Sequence, residues 1–267
     1  MPTRRRLDAE LVRRGLARSR EHAVSLISDG RVSVAGRAGA KPGTAVAPAE
    51  AIVVAKPGSP EYVSRGGHKL SGALDVFEAS GLTVAGRRCL DAGASTGGFT
   101  DVLLRRGAAE VVAVDVGYGQ LAWSLRTDPR VVVVDRTNAR TLSPGLIGGP
   151  VDLVVADLSF ISLRLVLQPL LACTTTDADL VLLVKPQFEV GPERVGRGGV
   201  VRDPRLRAES VRSVAGAAAE LGLGVAGVTA SQLPGPSGNV EYFLWLRTGA
   251  PPLDLGELQR AVLAGPQ

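Results

Sequence analysis

The chain of 267 residues contains few cysteines and few histidines. Its two cysteines, Cys89 and Cys173, lie in apolar stretches, which is typical of reduced core residues rather than of a disulfide framework. Its two histidines, His22 and His68, are far apart, and the sequence contains no cluster of metal-ligating residues. The composition therefore argues against a disulfide-stabilised secreted domain and predicts no metal site.

Long hydrophobic runs are also missing. No window approaches the ~18 uninterrupted apolar residues that a membrane-spanning helix needs, because Asp157, Asp179 and Lys185 interrupt the most apolar stretches. The N-terminus has arginines, but no apolar segment follows them as in a secretory signal. We therefore expect a soluble, cytoplasmic protein with no membrane partner.

Lysine is scarce, since positive charge is carried almost entirely by arginine. Lysine and arginine together number 31, yet lysine occurs only at Lys41, Lys56, Lys69 and Lys185. Arginine keeps its proton in a protein, whereas a buried lysine can lose it. Because Lys185 directly follows the apolar run 180–184, it is a candidate for proton chemistry. The alternative is a lysine at a strand end whose amine reaches solvent.

The net charge of +5 is concentrated at the start of the chain. Residues 1–20 contain seven arginines against Asp8 and Glu10, and the rest is close to neutral. A basic face at one end suggests a polyanion-binding module attached to a neutral body. A solvated face without a partner is the alternative.

The first 55 residues have the pattern of a small α+β domain. Apolar residues recur at helical spacing in 7–15 and 19–30, with Ser19 as an N-cap and a glycine at each end. The stretches "RVSVAG" and "AIVVA" then alternate with period two, which predicts short strands. Together with "LDAELVRRGLARSREHAVSLISDGRVSVAG", this pattern resembles the S4 RNA-binding domain, although Ala35 stands where that family usually has asparagine.

The resemblance implies binding of structured RNA by shape and phosphate contacts. We assign residues 1–55 to this domain and 56–66, rich in proline and glycine, to a linker. Six arginines are candidate RNA-binding residues: Arg4, Arg6, Arg14, Arg18, Arg20 and Arg65.

Residues 67–267 alternate helices with continuous apolar strands, which predicts an α/β fold with a Rossmann-like parallel sheet covered on both faces. The last two strands, "GVAGVTAS" and "VEYFLWLR", are joined by "QLPGPSGN", which is too short for a parallel crossover, so they form an antiparallel hairpin. A parallel sheet with such a terminal hairpin is typical of S-adenosylmethionine-dependent methyltransferases. This topology would place Glu241 at the same sheet edge as Asp157 and Lys185.

The first turn of this domain, "DAGASTGGFTD", predicts a site for a nucleotide-like ligand. Its glycines allow a close approach of the backbone, and Asp115 follows Gly93 by 22 residues, a spacing suited to binding ribose hydroxyls. The spacing does not separate S-adenosylmethionine from a nicotinamide dinucleotide, although the glycine pattern is not G-x-G-x-x-G. A purely structural turn is the other alternative. The candidate cofactor-binding residues are Asp91, Gly93, Ser95, Gly97, Gly98, Phe99, Asp115, Asn138 and Asp157.

The stretch 67–247 resembles the FtsJ-like RNA ribose methyltransferases. With "RGGHKL", "DVGYGQL", "LVVADLSFISL" and "LVKPQFEVG" added, nearly the whole chain resembles the TlyA family, which also carries the older label haemolysin. The resemblance implies S-adenosylmethionine as the cofactor and the 2′-hydroxyl of cytidine in ribosomal RNA as the acceptor, within ribosomal subunits and in both of them. It also implies a catalytic set of Lys69, Asp157, Lys185 and Glu241.

Within that set, we expect Lys185 to lie nearest the ribose hydroxyl, as base or as stabiliser of the forming alkoxide. Asp157 and Glu241 would orient it, and Lys69 would add charge and a phosphate contact. Two other functions stay open: a pore-forming haemolysin, and an RNA-binding protein with an inactive methyltransferase domain. The linker differs from the Arg-Ala-Trp-Val of many TlyA proteins, since residues 60–63 read Pro-Glu-Tyr-Val.

Overall fold

A computed structural model describes residues 4–28, 30–37, 40–55, 62–196 and 198–266. The predicted linker falls largely on 56–61, including Pro60 and Glu61, which lie outside the described residues.

The N-terminal domain contains the two predicted helices and the two predicted strands. Leu7, Leu11 and Leu26 are buried between the helices and the strands, together with other apolar residues of the same periodic pattern. Two further strands of two residues each escaped prediction because they are too short to show a period. The elements are β1 (Arg5–Arg6), α1 (Leu7–Arg13), α2 (Arg20–Ser28), β2 (Val32–Val34), β3 (Ala45–Val46) and β4 (Ile52–Val54), with β1 paired to β3 and β2 to β4, both antiparallel.

The turn after β2 explains the family preference for asparagine. Ala35 has φ +47°, in the left-handed region that asparagine tolerates better than alanine. The alanine therefore adds strain to this turn, although the strand pairing around it is retained.

The C-terminal domain is a seven-stranded sheet with helices on both faces, as predicted. Its strands run in the order β10-β11-β9-β8-β5-β6-β7, and only β11 runs antiparallel to the other six. The strands are β5 (Arg88–Ala92), β6 (Glu110–Val114), β7 (Val131–Val134), β8 (Val151–Ala156), β9 (Thr174–Val184), β10 (Leu223–Ala230) and β11 (Tyr242–Thr248). The helices are α3 (Gly66–Glu78), α4 (Gly98–Arg105), α5 (Trp123–Arg126), α6 (Leu167–Ala172), α7 (Pro186–Glu189), α8 (Pro204–Glu220) and α9 (Leu255–Ala264).

The strands in the middle of the sheet are apolar on both faces, which is why they read as continuous runs. In β8, for example, Val154 belongs to the apolar cluster on one face and Val155 to the cluster on the other. The strand order reverses between β5 and β8, so a crevice opens beyond their carboxyl ends.

The terminal hairpin brings Glu241 to that edge, as predicted. Tyr242 of β11 pairs with Val184 of β9 in antiparallel register. Glu241, which precedes Tyr242, and Lys185, which follows Val184, therefore occupy neighbouring positions at the edge of the sheet where the cofactor turn lies.

Candidate active site

A cavity of about 520 Å³ lies at this crevice, beyond the ends of β5, β6 and β8. Five of the predicted cofactor-binding residues line it, which are Gly93, Ser95, Asp115, Asn138 and Asp157. The other lining residues were not predicted as cofactor-binding residues; they are Val114, Val116, Gln120, Thr137, Ala139, Arg140, Leu158, Ser159, Phe160 and Ile161.

The glycine turn is packed so closely that it admits no side chains at two positions. At Gly93 (φ +88°), a Cβ would lie 2.7 Å from the carbonyl oxygen of Asp157. At Gly97 (φ +97°), a Cβ would lie 2.3 Å from Leu125. These glycines are required because the turn must follow the end of β8 closely while α4 begins at once.

Asp115 holds the rim of this turn and has acceptor capacity left for a ligand. Its carboxylate accepts hydrogen bonds from the backbone N–H of Ser95 (2.8 Å) and of Gly117 (2.7 Å). A carboxylate offers about four lone pairs, so two acceptor positions are left for ribose hydroxyls. Together with the cavity beside it, this donor and acceptor set fits a nucleoside such as that of S-adenosylmethionine.

Asn138 lies at the far side of the cavity. Its side-chain oxygen accepts the backbone N–H of Arg140 at 3.0 Å, which caps the short 3₁₀ helix Ala139–Thr141. The amide NH₂ group keeps its donors for a ligand, in keeping with the predicted place near an adenine ring.

Four of the predicted cofactor residues support the turn but do not line the cavity. Phe99 is buried in the core, 5.9 Å between ring centroids from Phe243, and Asp91 is fully buried. Asp91 accepts a hydrogen bond from Thr100 Oγ1 at 2.7 Å, and burial raises its pKa to about 7. The others are Gly97 and Gly98, at the start of α4.

Lys185 forms an ion pair at the cavity. Its Nζ lies 2.5 Å from Asp157 Oδ1 and donates a hydrogen bond to Ser159 Oγ at 2.8 Å. Its side chain is 9% exposed and that of Asp157 is 24% exposed. The lysine is therefore not a solvent-reaching lysine at a strand end: its amine is held beside a cavity-lining carboxylate.

Lys69 and Glu241 form a second ion pair that is buried more deeply. Lys69 Nζ lies 2.5 Å from Glu241 Oε2, with side chains 4% and 0% exposed. The other carboxylate oxygen, Oε1, has no hydrogen-bond partner among the described residues. The four predicted catalytic residues thus form two lysine–carboxylate pairs, of which only Asp157 lines the cavity.

Arg65 lies beside these pairs rather than on the RNA-binding face of the N-terminal domain. It donates a hydrogen bond to the carbonyl of Pro234 at 2.9 Å, while its buried Nη1 has no partner among the described residues. Burial lowers its pKa, and the charges of Glu241 and Asp157 oppose that shift. The guanidinium keeps its charge in any case, so Arg65 can contact an anionic ligand at the active site.

Phe160 is a prominent residue that the sequence did not single out. Its side chain is 90% exposed at the rim of the cavity, and its backbone has φ +63°. Such a φ is rare for a bulky residue and is found mainly at functional sites. No sequence signal predicts a left-handed phenylalanine, although its place three residues after Asp157 puts it near the site.

The loop that carries Phe160 is fastened to α7. Buried Glu189 accepts hydrogen bonds from Ser162 Oγ (2.6 Å) and from the backbone N–H of Leu163 (2.7 Å), and burial raises its pKa. The ring of Phe188 lies 5.2 Å from that of Phe160. These contacts keep the loop in one conformation at the cavity.

The other candidate arginines lie on the N-terminal domain, and one of them has a structural role. Arg18 and Arg20 are exposed, and the exposed Arg4 and Arg6 pair with nearby carboxylates. Arg14 differs, because its side chain is 20% exposed and hydrogen-bonds Glu10 and three backbone carbonyls. It braces the end of α1 against the chain before β4.

Two kinds of feature are absent from the described part of the chain. It contains no helix long and apolar enough to cross a membrane. It also contains no group of three or more His, Cys, Asp or Glu residues that could hold a metal ion.

Comparisons with protein families match the two domains separately. Residues 62–248 match the FtsJ-like methyltransferase family, and residues 5–52 match the S4 domain.

Individual relatives extend over almost the whole chain. It is 66% identical to the 16S/23S rRNA (cytidine-2′-O)-methyltransferase TlyA of Mycobacterium tuberculosis over 93% of this chain and 91% of that one. It is 36% identical to the 23S rRNA (cytidine-2′-O)-methyltransferase TlyA of Campylobacter jejuni over 69% of this chain and 70% of that one. The solved structure of a protein described as a hemolysin, from Streptococcus thermophilus, superposes with a TM-score of 0.76 at 36% identity, covering 98% of this chain and 96% of that one.

Proposed function

The chain belongs to the FtsJ-like methyltransferase family, in the TlyA group that carries an S4 domain, and on this premise we propose its reaction: transfer of a methyl group from S-adenosylmethionine to the 2′-hydroxyl of cytidine in ribosomal RNA. The acceptors are the RNAs of both ribosomal subunits. The relative at 66% identity is named for both RNAs, whereas the one at 36% identity is named for the large-subunit RNA alone.

The observation that carries this proposal is the placement of an amine beside a nucleoside-sized cavity. Lys185 is paired with Asp157, and Asp157 lines the same cavity as Asp115 and the turn residue Gly93. A cofactor site and a proton-handling group at one cavity are what alkylation of a hydroxyl requires.

When bound, S-adenosylmethionine supplies an electrophilic methyl group. The acceptor hydroxyl is a poor nucleophile because it holds its proton, so the protein must position it and take that proton as the methyl is transferred. Lys185 can take that proton once its amine is neutral, and Asp157 and Ser159 hold the amine at the cavity. Lys69 and Glu241 lie behind it as a buried pair that keeps the sheet edge in place.

One residue at the rim of the cavity and one beside the lysine–carboxylate pairs are suited to holding the target nucleotide. Phe160 offers an exposed ring on which a base can stack, an interaction worth about 1–3 kcal/mol per base. Arg65 offers a guanidinium whose buried Nη1 has no hydrogen-bond partner among the described residues, which suits it to a phosphate. The target cytidine would leave its helix to reach both, as bases do in enzymes that modify them.

The S4 domain supplies affinity for the RNA. Its exposed arginines, with Arg18 in the turn before α2 and Arg20 at the first residue of that helix, match the phosphate-contacting role expected for structured RNA. The protein would therefore act in the cytoplasm, on ribosomal RNA assembled in ribosomal subunits.

The direct test is transfer of labelled methyl from S-adenosylmethionine to each purified ribosomal subunit, followed by mapping of the modified nucleotide. We expect one 2′-O-methylcytidine per subunit RNA. Label in a base instead of a ribose, or no label in either subunit, would refute the proposal.

The two alternatives have separate tests. A pore-forming haemolysin would release dye from liposomes at concentrations where methyl transfer is observed, and we expect no release. An inactive methyltransferase domain would show no binding of S-adenosylmethionine by calorimetry, whereas the intact cavity and both lysine–carboxylate pairs lead us to expect binding.

A further inference from the structure

We propose that Ser159 is a positioning residue for Lys185. The hydroxyl of this cavity-lining serine sets the direction of the reacting amine. The inference rests on the proposed function and adds to it a residue outside the two lysine–carboxylate pairs.

The amine of Lys185 has one hydrogen-bond acceptor, Ser159, and one ionic partner, Asp157. A lysine ammonium has three N–H donors that rotate freely about the last carbon–nitrogen bond. Here the amine donates a hydrogen bond to Ser159 Oγ at 2.8 Å, whereas Asp157 Oδ1 lies 2.5 Å from Nζ as an ionic partner and accepts no hydrogen bond among the described residues. Ser159 therefore fixes the direction of one N–H, and Asp157 fixes the position of the charge. A carboxylate alone would leave the amine free to rotate about a single contact.

The two partners of the amine lie on the cavity side of it. Asp157 and Ser159 are two residues apart on one loop, and both line the cavity. Lys185, by contrast, reaches the site from the end of β9 and is 8% exposed. The amine is therefore held from the cavity side by both partners, and its remaining direction depends on where that loop lies.

The loop that carries Ser159 is held in place on its far side. Phe160 follows Ser159 in the left-handed region, at φ +63°, so the chain reverses sharply at this point. Beyond it, Glu189 holds Ser162 Oγ and the N–H of Leu163 at 2.6 and 2.7 Å. The loop is thus anchored just beyond the serine hydroxyl, which favours a fixed position for a group that orients another side chain.

A simpler role for Ser159 would be a hydrogen bond without consequence. The serine is exposed and could satisfy its hydroxyl with water, so its contact with the amine is not required for its own solvation. What the contact changes is the orientation of Lys185, and this distinguishes the two roles experimentally.

The experiment uses the full-length protein and single-turnover methyl transfer to ribosomal subunits across a pH series. Ser159→Ala should slow transfer by roughly 10- to 100-fold, the scale expected for a displaced reacting group, with unchanged affinity for S-adenosylmethionine. Ser159→Thr, which keeps the hydroxyl, should restore most of the rate. Removing an acceptor of the ammonium should also move the rising limb of the pH–rate profile to lower pH in the alanine variant.

Ser162→Ala is the matched control, because it removes a hydroxyl from the same loop that contacts Glu189 and not Lys185. It should leave the pH–rate profile in place even if the loop loosens. An unchanged rate in Ser159→Ala would overturn the inference. So would a slow variant that threonine does not restore and whose pH profile is unmoved, since that pattern indicates a structural role. Absence of methyl transfer by the unmodified protein would instead refute the proposed function itself.

Discussion

The two domains use positive charge in opposite ways. In the N-terminal domain, Arg18 and Arg20 are exposed, as is Lys41. At the sheet edge of the C-terminal domain, Lys69 and Lys185 are 4% and 8% exposed, and each amine lies 2.5 Å from a carboxylate. Arginine suits a surface that needs permanent charge for phosphates, whereas a compact amine suits a confined site where one atom must be placed accurately.

Exchanging lysine for arginine in each domain tests most directly whether the two domains differ in their need for an amine. Lys185→Arg should fold and bind S-adenosylmethionine but lose methyl transfer by roughly 10²- to 10⁴-fold, as for removal of a general base. The reason is that guanidinium is planar, larger and permanently protonated. Single-turnover transfer measures the effect, and thermal melting checks the fold.

Lys41→Arg is the matched control, since this lysine is exposed in the N-terminal domain. It should leave transfer unchanged, because the positive charge is retained. Near-normal transfer by Lys185→Arg would mean that the sheet edge of the C-terminal domain also needs only positive charge. The contrast between the two domains would then be wrong.

The second prediction separates cofactor binding from RNA binding. Asp115→Ala should weaken binding of S-adenosylmethionine by roughly 10- to 100-fold, the equivalent of about 1.5–3 kcal/mol for hydrogen bonds to a charged group. Asp115→Asn should have an affinity for S-adenosylmethionine between those of the unmodified protein and Asp115→Ala. The reason is that its amide oxygen can still accept a hydrogen bond from the N–H of Ser95 or of Gly117. Calorimetry measures both.

Asp75→Ala provides the control for the removal of one carboxylate, as its side chain is 66% exposed on α3. The affinity of all these variants for ribosomal subunits should be unchanged. If Asp115→Ala bound the cofactor normally, the cavity beside it would not be the cofactor site.

The third prediction concerns the N-terminal arginines. Arg18→Gln combined with Arg20→Gln should weaken binding to ribosomal subunits, because each arginine that neutralises a phosphate releases counterions on binding. The slope of log affinity against log salt should become shallower by about 0.7–0.9 for each phosphate that is no longer neutralised. Binding of S-adenosylmethionine should not change.

Arg205→Gln combined with Arg212→Gln removes the same charge from exposed positions on α8 of the other domain. We expect a smaller effect on the salt slope there. Equal slopes for the two double variants would show that RNA affinity follows net charge rather than the S4 surface.

The sequence predicted the fold well because its signals are local or topological. The apolar strands, the glycine turn and the short loop before β11 suffice to place Glu241 beside Lys185 at the sheet edge, and the register of β11 confirms this. The two-residue strands β1 and β3 were missed, since their pairing depends on contacts distant in sequence.

The site was predicted less completely, for a physical reason. Which lysine pairs with which carboxylate depends on side-chain directions that periodicity does not encode, and the pairing of Lys69 with Glu241 was not foreseen. The left-handed Phe160 lies in a loop that is hydrogen-bonded to Glu189, 29 residues away, and periodicity does not encode such a contact. The hydrogen bonds of Arg14 to the chain before β4 were not foreseen, because a basic helix does not reveal which arginine contacts a neighbouring loop.

Two buried carboxylates extend the comparison to stability. In the N-terminal domain, hydrogen bonds from Arg13 and Arg14 hold the pKa of Glu10 at about 2. In the C-terminal domain, burial raises the pKa of Asp91 to about 7, and the charges of Asp157 and Asp115 add to the effect, while the hydrogen bond from Thr100 opposes it. One carboxylate is stabilised in its charged form and the other in its neutral form.

The pH dependence of stability should therefore have opposite signs in the two domains. A lowered pKa contributes stability above the ordinary value of 4.5 that is lost as the pH falls toward 2, so Glu10→Gln should flatten the acid limb. A raised pKa contributes stability below the ordinary value of 3.8 that is lost as the pH rises toward 7, so Asp91→Asn should flatten that slope. Both tryptophans, Trp123 and Trp245, lie in the C-terminal domain, so their fluorescence during urea unfolding reports the stability of the domain that contains Asp91. Hydrogen exchange of the α1 amides reports the stability of the domain that contains Glu10. If the pH dependence of stability between pH 4 and 7 were the same with aspartate and with asparagine at position 91, Asp91 would be charged when buried. The contrast between the two carboxylates would then be wrong.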